Sequence, residues 1–152
     1  MRFEKYFKEW LKDKVQKATG LSVSATNDVM FKVADELNKS PKMDRIVMIV
    51  RGGAAVKSNI PDFDQNTATM LVQMTFFDIN KDAILTALQK VCEEENASLN
   101  SAEIEGKRIL FRPVFETPTV AGTSFEMRRG NGNAKASGIF WQITVAYGQN
   151  AY

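Results

Sequence analysis

Histidine is absent from this chain, and cysteine occurs once, as Cys92. Serine and cysteine triads usually need an imidazole base, and most catalytic zinc sites use at least one histidine. A single cysteine also cannot supply a structural zinc site. Chemistry based on carboxylates, lysine or tyrosine stays open. The composition therefore predicts a protein that is not an enzyme, with no catalytic residues, no cofactor and no metal site.

Long apolar runs are also missing. The first residues lead directly into a charged amphipathic segment, where a signal peptide would have an unbroken apolar stretch. No run approaches the roughly 20 residues that span a bilayer. One cysteine excludes an intrachain disulfide, so the chain does not depend on an oxidising compartment. The expected location is the cytoplasm, without membrane association.

Neither sign of charge is in large excess. The chain has 20 basic and 18 acidic side chains and a formal net charge of +2, which gives no strong attraction to nucleic acid or membrane. Its 152 residues, of which 44% are hydrophobic, suit a globular protein with one core. We therefore expect a single domain over residues 1–152.

Three segments have the apolar spacing of amphipathic helices. In residues 3–18, apolar side chains recur at i, i+3, i+4 and i+7, and Gly20 is a suitable stop. This stripe predicts either packing into the protein's own core or docking on a neighbouring subunit. A second helix, capped by residue 26 or 27, is predicted to end near residue 39. A third, capped by Asn80, is predicted over residues 81–95.

Four strands are predicted from β-rich or alternating segments. Residues 46–50 are typical of a strand buried on both faces, and the alternating residues 67–78 should pair with it as an antiparallel hairpin. The third strand covers residues 107–116, where Pro113 indicates an edge position or a bulge because proline cannot donate a ladder hydrogen bond. Residues 138–148 alternate most clearly and form the last strand.

Two irregular segments separate these strands. Residues 58–66 hold a proline and several turn residues, which predicts a loop. Residues 117–137 lack periodicity, and loops of that length are commonly functional or disordered. The predicted fold is therefore α+β: a four-stranded mixed or antiparallel sheet, helices packed on one face, and a long mobile loop before the last strand.

The order of these elements resembles that of the tail-terminator proteins of long-tailed bacteriophages. Four features carry the resemblance: a helix ahead of the sheet, a two-stranded hairpin, a helix that returns to an edge-like strand, and a loop rich in Gly, Asn and Arg before the last strand. In the sequence these are residues 3–18, 45–56 with 67–78, 81–95 with 108–115, and the loop before 138–145.

The resemblance implies a structural virion protein that forms a hexameric ring at the head-proximal end of the tail tube. Such a ring stops tube polymerisation and joins the tail to the head connector. The implied partners are further copies of this chain, the tail-tube protein and neck or connector proteins. DNA would pass through the lumen without specific binding, and the protein would reside in the virion after assembly in the host cytoplasm.

A ring closes through head-to-tail contacts, and an edge strand with free backbone groups can make them by pairing across subunits. We therefore predict that the subunit and partner interface uses the edge-like third strand and the mobile loop. The candidate residues are Arg108, Leu110, Arg112, Met127, Arg128, Arg129, Gly130, Asn131 and Lys135.

Three other functions fit parts of the sequence. The same strand argument applies to another phage neck or tail-tube component. Arg128, Arg129 and Lys135 could contact phosphates as a nucleic-acid-binding arm, although no known nucleic-acid-binding motif accompanies them. Asp62 and Asp64 could be the carboxylates of an enzyme, although two acids on a turn-rich loop more often shape or solvate the turn.

Overall fold

The computed structural model describes residues 3–28, 32–52, 56–60, 63–122 and 124–149. Within these ranges the chain forms three helices and nine strands, with a 3₁₀ turn at Asp78–Asn80. The helices are α1 (Phe3–Thr19), α2 (Val33–Asn38) and α3 (Lys81–Glu95). The strands are β1 (Ser22–Thr26), β2 (Arg45–Gly52), β3 (Val56–Ile60), β4 (Phe63–Phe77), β5 (Asn100–Ile104), β6 (Lys107–Phe115), β7 (Thr119–Val120), β8 (Phe125–Arg129) and β9 (Gly132–Gln149).

All nine strands belong to one sheet. Six follow in the order β1-β2-β4-β9-β6-β5, while β3 pairs with β4, and β7 and β8 pair with β9. β1 runs parallel to β2, and the other pairings are antiparallel. The predicted α+β class, mixed sheet and β2–β4 hairpin are confirmed. The prediction of four strands is wrong, because short strands extend the sheet at both margins.

The segment predicted as a loop at residues 58–66 is largely strand. The pairing of β3 with β4 runs from Val56 opposite Thr67 to Ile60 opposite Phe63. Residues 61 and 62 lie outside the described ranges, as do Gly53 and its two successors. The described part of this segment is therefore paired backbone and not a long irregular loop.

One face of the sheet carries α1 and α3. The buried side chains of α1 are Phe3, Phe7, Leu11 and Val15, and those of α3 are Ile84, Leu88 and Val91. Both sets recur at the three- and four-residue spacing of one helix face and pack on the even-numbered residues of β4. The stripe of α1 therefore packs into the protein's own core. None of the helices in the described ranges is long and apolar enough to cross a bilayer.

The short helix α2 lies on the opposite face, so the prediction of helices on one face only is wrong. Leu37 is fully buried in a second apolar cluster with Val47, Phe77, Met127 and Ala136. These residues alternate with the core-facing ones in their strands and therefore point away from α1 and α3. α2 is also shorter than predicted, because residues up to 26 are held as β1 by parallel pairing with β2.

The segment predicted as a long mobile loop before the last strand also pairs with β9. β6, β7 and β8 lie one after another along the same side of β9, so residues 107–129 run antiparallel to it as one interrupted strand. The turn at the far end is Gly130-Asn131, between Arg129 and its pair Gly132. Gly130 has a φ of 56°, which suits the first central position of a type II′ hairpin turn. The whole unit is therefore a long β-hairpin with two interruptions.

The strand predicted as an edge, β6, lies inside the sheet between β9 and β5. Pro113 is tolerated there because its missing N–H would point past the end of β5, which stops opposite Phe111. On that side the carbonyl of Pro113 accepts a hydrogen bond from the Ala97 amide at 2.8 Å, and the Phe115 amide donates to the Asn96 side chain at 3.0 Å. The edge of the sheet is therefore β5, a strand that the sequence pattern did not predict.

Candidate assembly interface

On the face of the sheet opposite α1 and α3, α2 covers one end, and no other described helix lies on it. We refer to the part that α2 leaves uncovered as the open face. It carries four large apolar side chains that are about half exposed: Leu71 at 51%, Val114 at 46%, Phe125 at 51% and Phe140 at 49%. Half of a phenylalanine side chain leaves on the order of 100 Å² accessible, so the four together leave on the order of 300 Å². Leu71 and Phe125 each line a hollow that Phe140 also lines, so these three side chains form the connected part of the surface. Exposed apolar patches on a monomer are often functional.

The strand register arranges this face in rows that cross the sheet. One row runs Arg51, Leu71 and Gln142, and Glu116 follows because its amide donates to the Gln142 carbonyl at 2.9 Å. The next row is Ile49, Gln73, Phe140 and Thr119. Neighbouring strands are roughly 4.8 Å apart, so the Arg51 and Glu116 backbones are separated by about 14 Å. The first row therefore has a cation at one end, an acid at the other and an apolar side chain between them.

Two hollows flank Phe140 on this face. The first has a volume of about 340 Å³ and is lined by Arg51, Leu71, Glu116 and Phe140, among others. The second, of about 290 Å³, is lined by Val33, Ile49, Phe125 and Phe140 among others. Because Phe140 borders both hollows, its half-exposed ring is the central apolar feature of the open face.

The candidate residues of β6 are not a free strand edge. Leu110 is buried against Ala146, Arg112 is partly buried, and Arg108 is exposed. Arg112 lies opposite Ala146 of β9, whereas Lys135 lies near the other end of that strand. Eleven residues of strand separate these two positions, which corresponds to roughly 36 Å. The structure therefore does not bring the two groups of predicted interface residues together.

The candidates of the β8–β9 hairpin are divided between surface and core. Arg128, Gly130, Asn131 and Lys135 are exposed, while Met127 is buried in the cluster under α2. The remaining candidate, Arg129, is partly buried and makes contacts within its own chain. Its guanidinium donates to the Ser40 carbonyl at 2.8 Å and to the Asn38 side chain at 3.4 Å, and lies 5.1 Å from the centre of the Phe77 ring. Met127 and Arg129 therefore fix the hairpin to α2, and the other four residues stay exposed.

Lys135 lies near the Asp78 carboxylate at the base of the same hairpin, and the two side chains interact electrostatically. The Ser137 hydroxyl donates to Asp78, and Lys81 lies 3.7 Å from the same carboxylate. The Ser137 hydrogen bond and the nearby Lys81 and Lys135 hold the pKa of Asp78 below its usual value, against the opposing effect of desolvation. The hairpin base is thereby linked to the start of α3.

Replacing Arg129 with alanine should loosen this hairpin. We expect the free energy of unfolding to fall by about 1–2 kcal/mol, because two hydrogen bonds from a charged donor and a cation–π contact are lost at a partly exposed site. Urea denaturation measures the change. Arg128→Ala is the matched control. Its carbonyl, which accepts a hydrogen bond from Asn38 at 3.0 Å, is unaffected by the substitution, so stability should change by less than about 0.5 kcal/mol. Equal effects of the two variants would contradict this role of Arg129.

The open face was missed by sequence reasoning, although a signal for it exists. Leu71 falls on the side of β4 that otherwise carries Thr69, Gln73 and Thr75, and Phe140 shares its side of β9 with Gln142. A large apolar residue on the polar side of a strand indicates a contact surface. That signal becomes visible only when the register places Leu71 and Phe140 diagonally beside each other.

Other chemistry is sparse in the described part of the chain. No group of three or more Cys, Asp or Glu side chains is placed there so as to hold a metal ion. Burial raises the pKa of the Cys92 thiol, whose sulfur lies 3.8 Å from the Glu116 carbonyl oxygen. The carboxylate pair Asp62 and Asp64 lies outside the side chains that the structure describes. No protein-family model matches this chain, and no curated protein matches it in sequence.

Proposed function

We propose that this chain is a structural subunit of a ring that ends the tail tube of a long-tailed bacteriophage and joins it to the head connector. The observation that carries the proposal is the open face. A protein that worked as an isolated monomer would gain little from four half-exposed apolar side chains, two of them aromatic, on an uncovered sheet. Further copies of the chain, or the tube and connector subunits, would cover them.

The distribution of surface chemistry supports head-to-tail contacts. Such contacts join two different surfaces of the same chain, and successive copies close a ring when the rotation between them closes. The open face has half-exposed apolar side chains between Arg51 and Glu116. The outer sides of α1 and α3 instead expose charged residues such as Lys5, Glu9, Asp82 and Glu93. The exposed part of the β8–β9 hairpin forms a third, more basic surface at one end of the long strand β9. Different surfaces at different positions suit a subunit with several partners.

Electron microscopy of the purified protein, alone and mixed with tail tubes, tests this proposal. We expect closed rings, and a ring bound at one end of each tube. Long tubes formed by the chain alone would instead identify a tube subunit. Monomers that remain monomeric in the presence of tubes would contradict the proposal.

Replacing Phe140 with serine should weaken assembly without unfolding the subunit. A central aromatic side chain of an interface commonly contributes 2 kcal/mol or more, so we expect self-association or tube binding to become roughly 30-fold weaker. Analytical ultracentrifugation measures the change, and circular dichroism confirms the fold. Ile79→Ser is the matched control for the open face, because Ile79 is 72% exposed and lines neither of the two hollows beside Phe140. If the two variants assembled equally well, the open face would not be the interface.

A further inference from the structure

The outer margin of β5 presents backbone groups without a strand beside them. The two-residue turn Glu105-Gly106 places Ile104 opposite Lys107, so the amides and carbonyls of Asn100, Ala102 and Ile104 point towards β6. Those of Ser101 and Glu103 point outwards. In the described part of the chain no hydrogen bond reaches these outward groups. β5 is therefore open to the addition of another strand.

Two other lateral margins of the sheet, at β1 and β8, are partly closed by side chains of the neighbouring helices. At β1, the Val23 amide donates to the Gln16 side chain of α1 at 3.2 Å. At β8, the Arg128 carbonyl accepts from the Asn38 side chain of α2 at 3.0 Å. Caps of this kind are a usual protection against edge-to-edge pairing. No such cap is found on the described outer side of β5, which can therefore pair with an identical margin of a second copy.

We propose that two copies of this chain pair through β5, antiparallel and two-fold symmetric about Ala102. In this register Ser101 of each copy lies opposite Glu103 of the other, and the outward groups exchange four backbone hydrogen bonds. The two sheets then continue into one. The contact is isologous, so it joins copies in pairs and does not rest on the proposed ring, which closes by head-to-tail contacts.

Side-chain chemistry selects this register over its two neighbours. Centred on Ala102, the Ser101 hydroxyl can donate to the facing carboxylate, and the two Glu103 backbones lie about 8 Å apart. Each Glu103 also lies opposite Arg108 of its own copy across the β5–β6 pair. Centred on Glu103, the two carboxylates would face each other directly, which is destabilising. Centred on Ser101, each Glu103 would face the apolar side chain of Leu99.

Proline at position 101 tests the pairing. Ser101→Pro removes an outward N–H and leaves the hydrogen bonds to β6 in place, so the fold should persist, as judged by circular dichroism and thermal melting. Light scattering should show that the particle mass of the wild-type protein is halved by this substitution, whether the particle is a dimer or a pair of rings. Ser101→Ala keeps the backbone donor and should retain the full mass. A wild-type protein without this two-fold association, or an unchanged mass for a folded Ser101→Pro variant, would overturn the proposal.

A disulfide test is independent of that substitution and fixes the register. Ala102 of the two copies would form a close, non-hydrogen-bonded pair with Cα atoms roughly 4.5 Å apart, within the span of a disulfide. In a Cys92→Ser background, Ala102→Cys should therefore cross-link rapidly into dimers under mild oxidation. Glu103→Cys places the two Cα atoms about 8 Å apart and should cross-link poorly. Efficient cross-linking of Glu103→Cys together with poor cross-linking of Ala102→Cys would contradict the register centred on Ala102. If rings form but neither the proline nor the disulfide experiment gives the expected result, the β5 contact is wrong. The proposed function would be unaffected by that outcome.

Discussion

Trp141→Ala is expected to lower the free energy of unfolding by about 3–5 kcal/mol, the range for removing a large buried aromatic side chain. Trp141 is 1% exposed in the middle of β9 and stacks on Phe115 with ring centres 5.1 Å apart. Its indole N–H donates to the Glu116 carbonyl at 2.9 Å, which ties the end of β6 to β9. Since small domains are stable by only about 5–15 kcal/mol, this loss is a large part of the total stability and should clearly lower the urea midpoint. Urea denaturation followed by circular dichroism measures the loss.

Trp141→Phe separates packing from hydrogen bonding. It keeps an aromatic ring against Phe115 but leaves the Glu116 carbonyl without the indole donor. We expect a smaller loss, of about 1–2 kcal/mol. A Trp141→Ala variant as stable as the wild type would show that β9 is not the centre of the core.

Phe7→Ala should destabilise the protein by a similar amount, about 3–5 kcal/mol. Phe7 is fully buried, stacks on Phe3 and Trp10 with ring centres 5.9 and 5.2 Å away, and meets the edge of Phe111 at 6.2 Å. Its removal opens a cavity between α1 and the sheet that the surrounding rings cannot fill without leaving their positions. Thermal unfolding measured by calorimetry gives the change.

The structure places the aromatic stripe of α1 in the core, and this experiment tests that placement against docking on a neighbouring subunit. A core residue affects stability, whereas a docking residue affects association and leaves the subunit stable. Phe125→Ala is the control, because Phe125 is 51% exposed and its removal should change stability by less than about 1 kcal/mol. A Phe7→Ala subunit that melts normally but no longer assembles would favour the docking interpretation.

The elements that the sequence predicts well are those whose own residues bury a face. α1 was predicted over residues 3–18 and ends at Thr19, with Gly20 at a φ of 71° directly after it. α3 has the predicted bounds, and β2 lies at the predicted place. β4 and β9 contain the predicted strands but begin earlier, at Phe63 and Gly132, inside segments predicted as loops. In each case a regular apolar period coincides with burial against the same core, so local pattern and tertiary contact agree.

The elements that the sequence does not predict depend on a partner elsewhere in the chain. β5 has five residues, mostly polar, and exists because β6 pairs with it. Pro118 precedes β7, and Gly122 lies between β7 and β8. Both strands are short, and their positions are set by pairing with β9, whose alternation of side chains is continuous. The same dependence explains why β6 was wrongly predicted to be an edge strand. A proline excludes a neighbouring strand only where that strand would have accepted a hydrogen bond from the missing N–H. At Pro113 β5 has already ended, so β6 can lie inside the sheet.

For the predicted interface residues, the residue type indicated which side chains are exposed in most cases. It did not indicate where in the fold each of them lies. Arg128, Asn131 and Lys135 are at the surface as expected, whereas Met127 and Arg129 are used inside the chain. The sequence does not indicate which of the adjacent residues Arg128 and Arg129 donates a hydrogen bond to the Ser40 carbonyl. The open face escaped prediction for a related reason, since it is assembled from single residues of several strands.

The position of β9 has a consequence for how the chain folds. Among the described residues, β4 does not pair with β6, β7 or β8. Within the sheet these strands are joined through β9, which follows all of them in the chain. A nascent chain that has emerged as far as residue 131 can form α1, the β2–β4 hairpin and α3, but its sheet stays in two parts. Closing it requires contacts between distant residues, which makes folding slow and leaves apolar strand margins exposed in the meantime. Aggregation would compete with folding at this step, until the insertion of one strand completes the core.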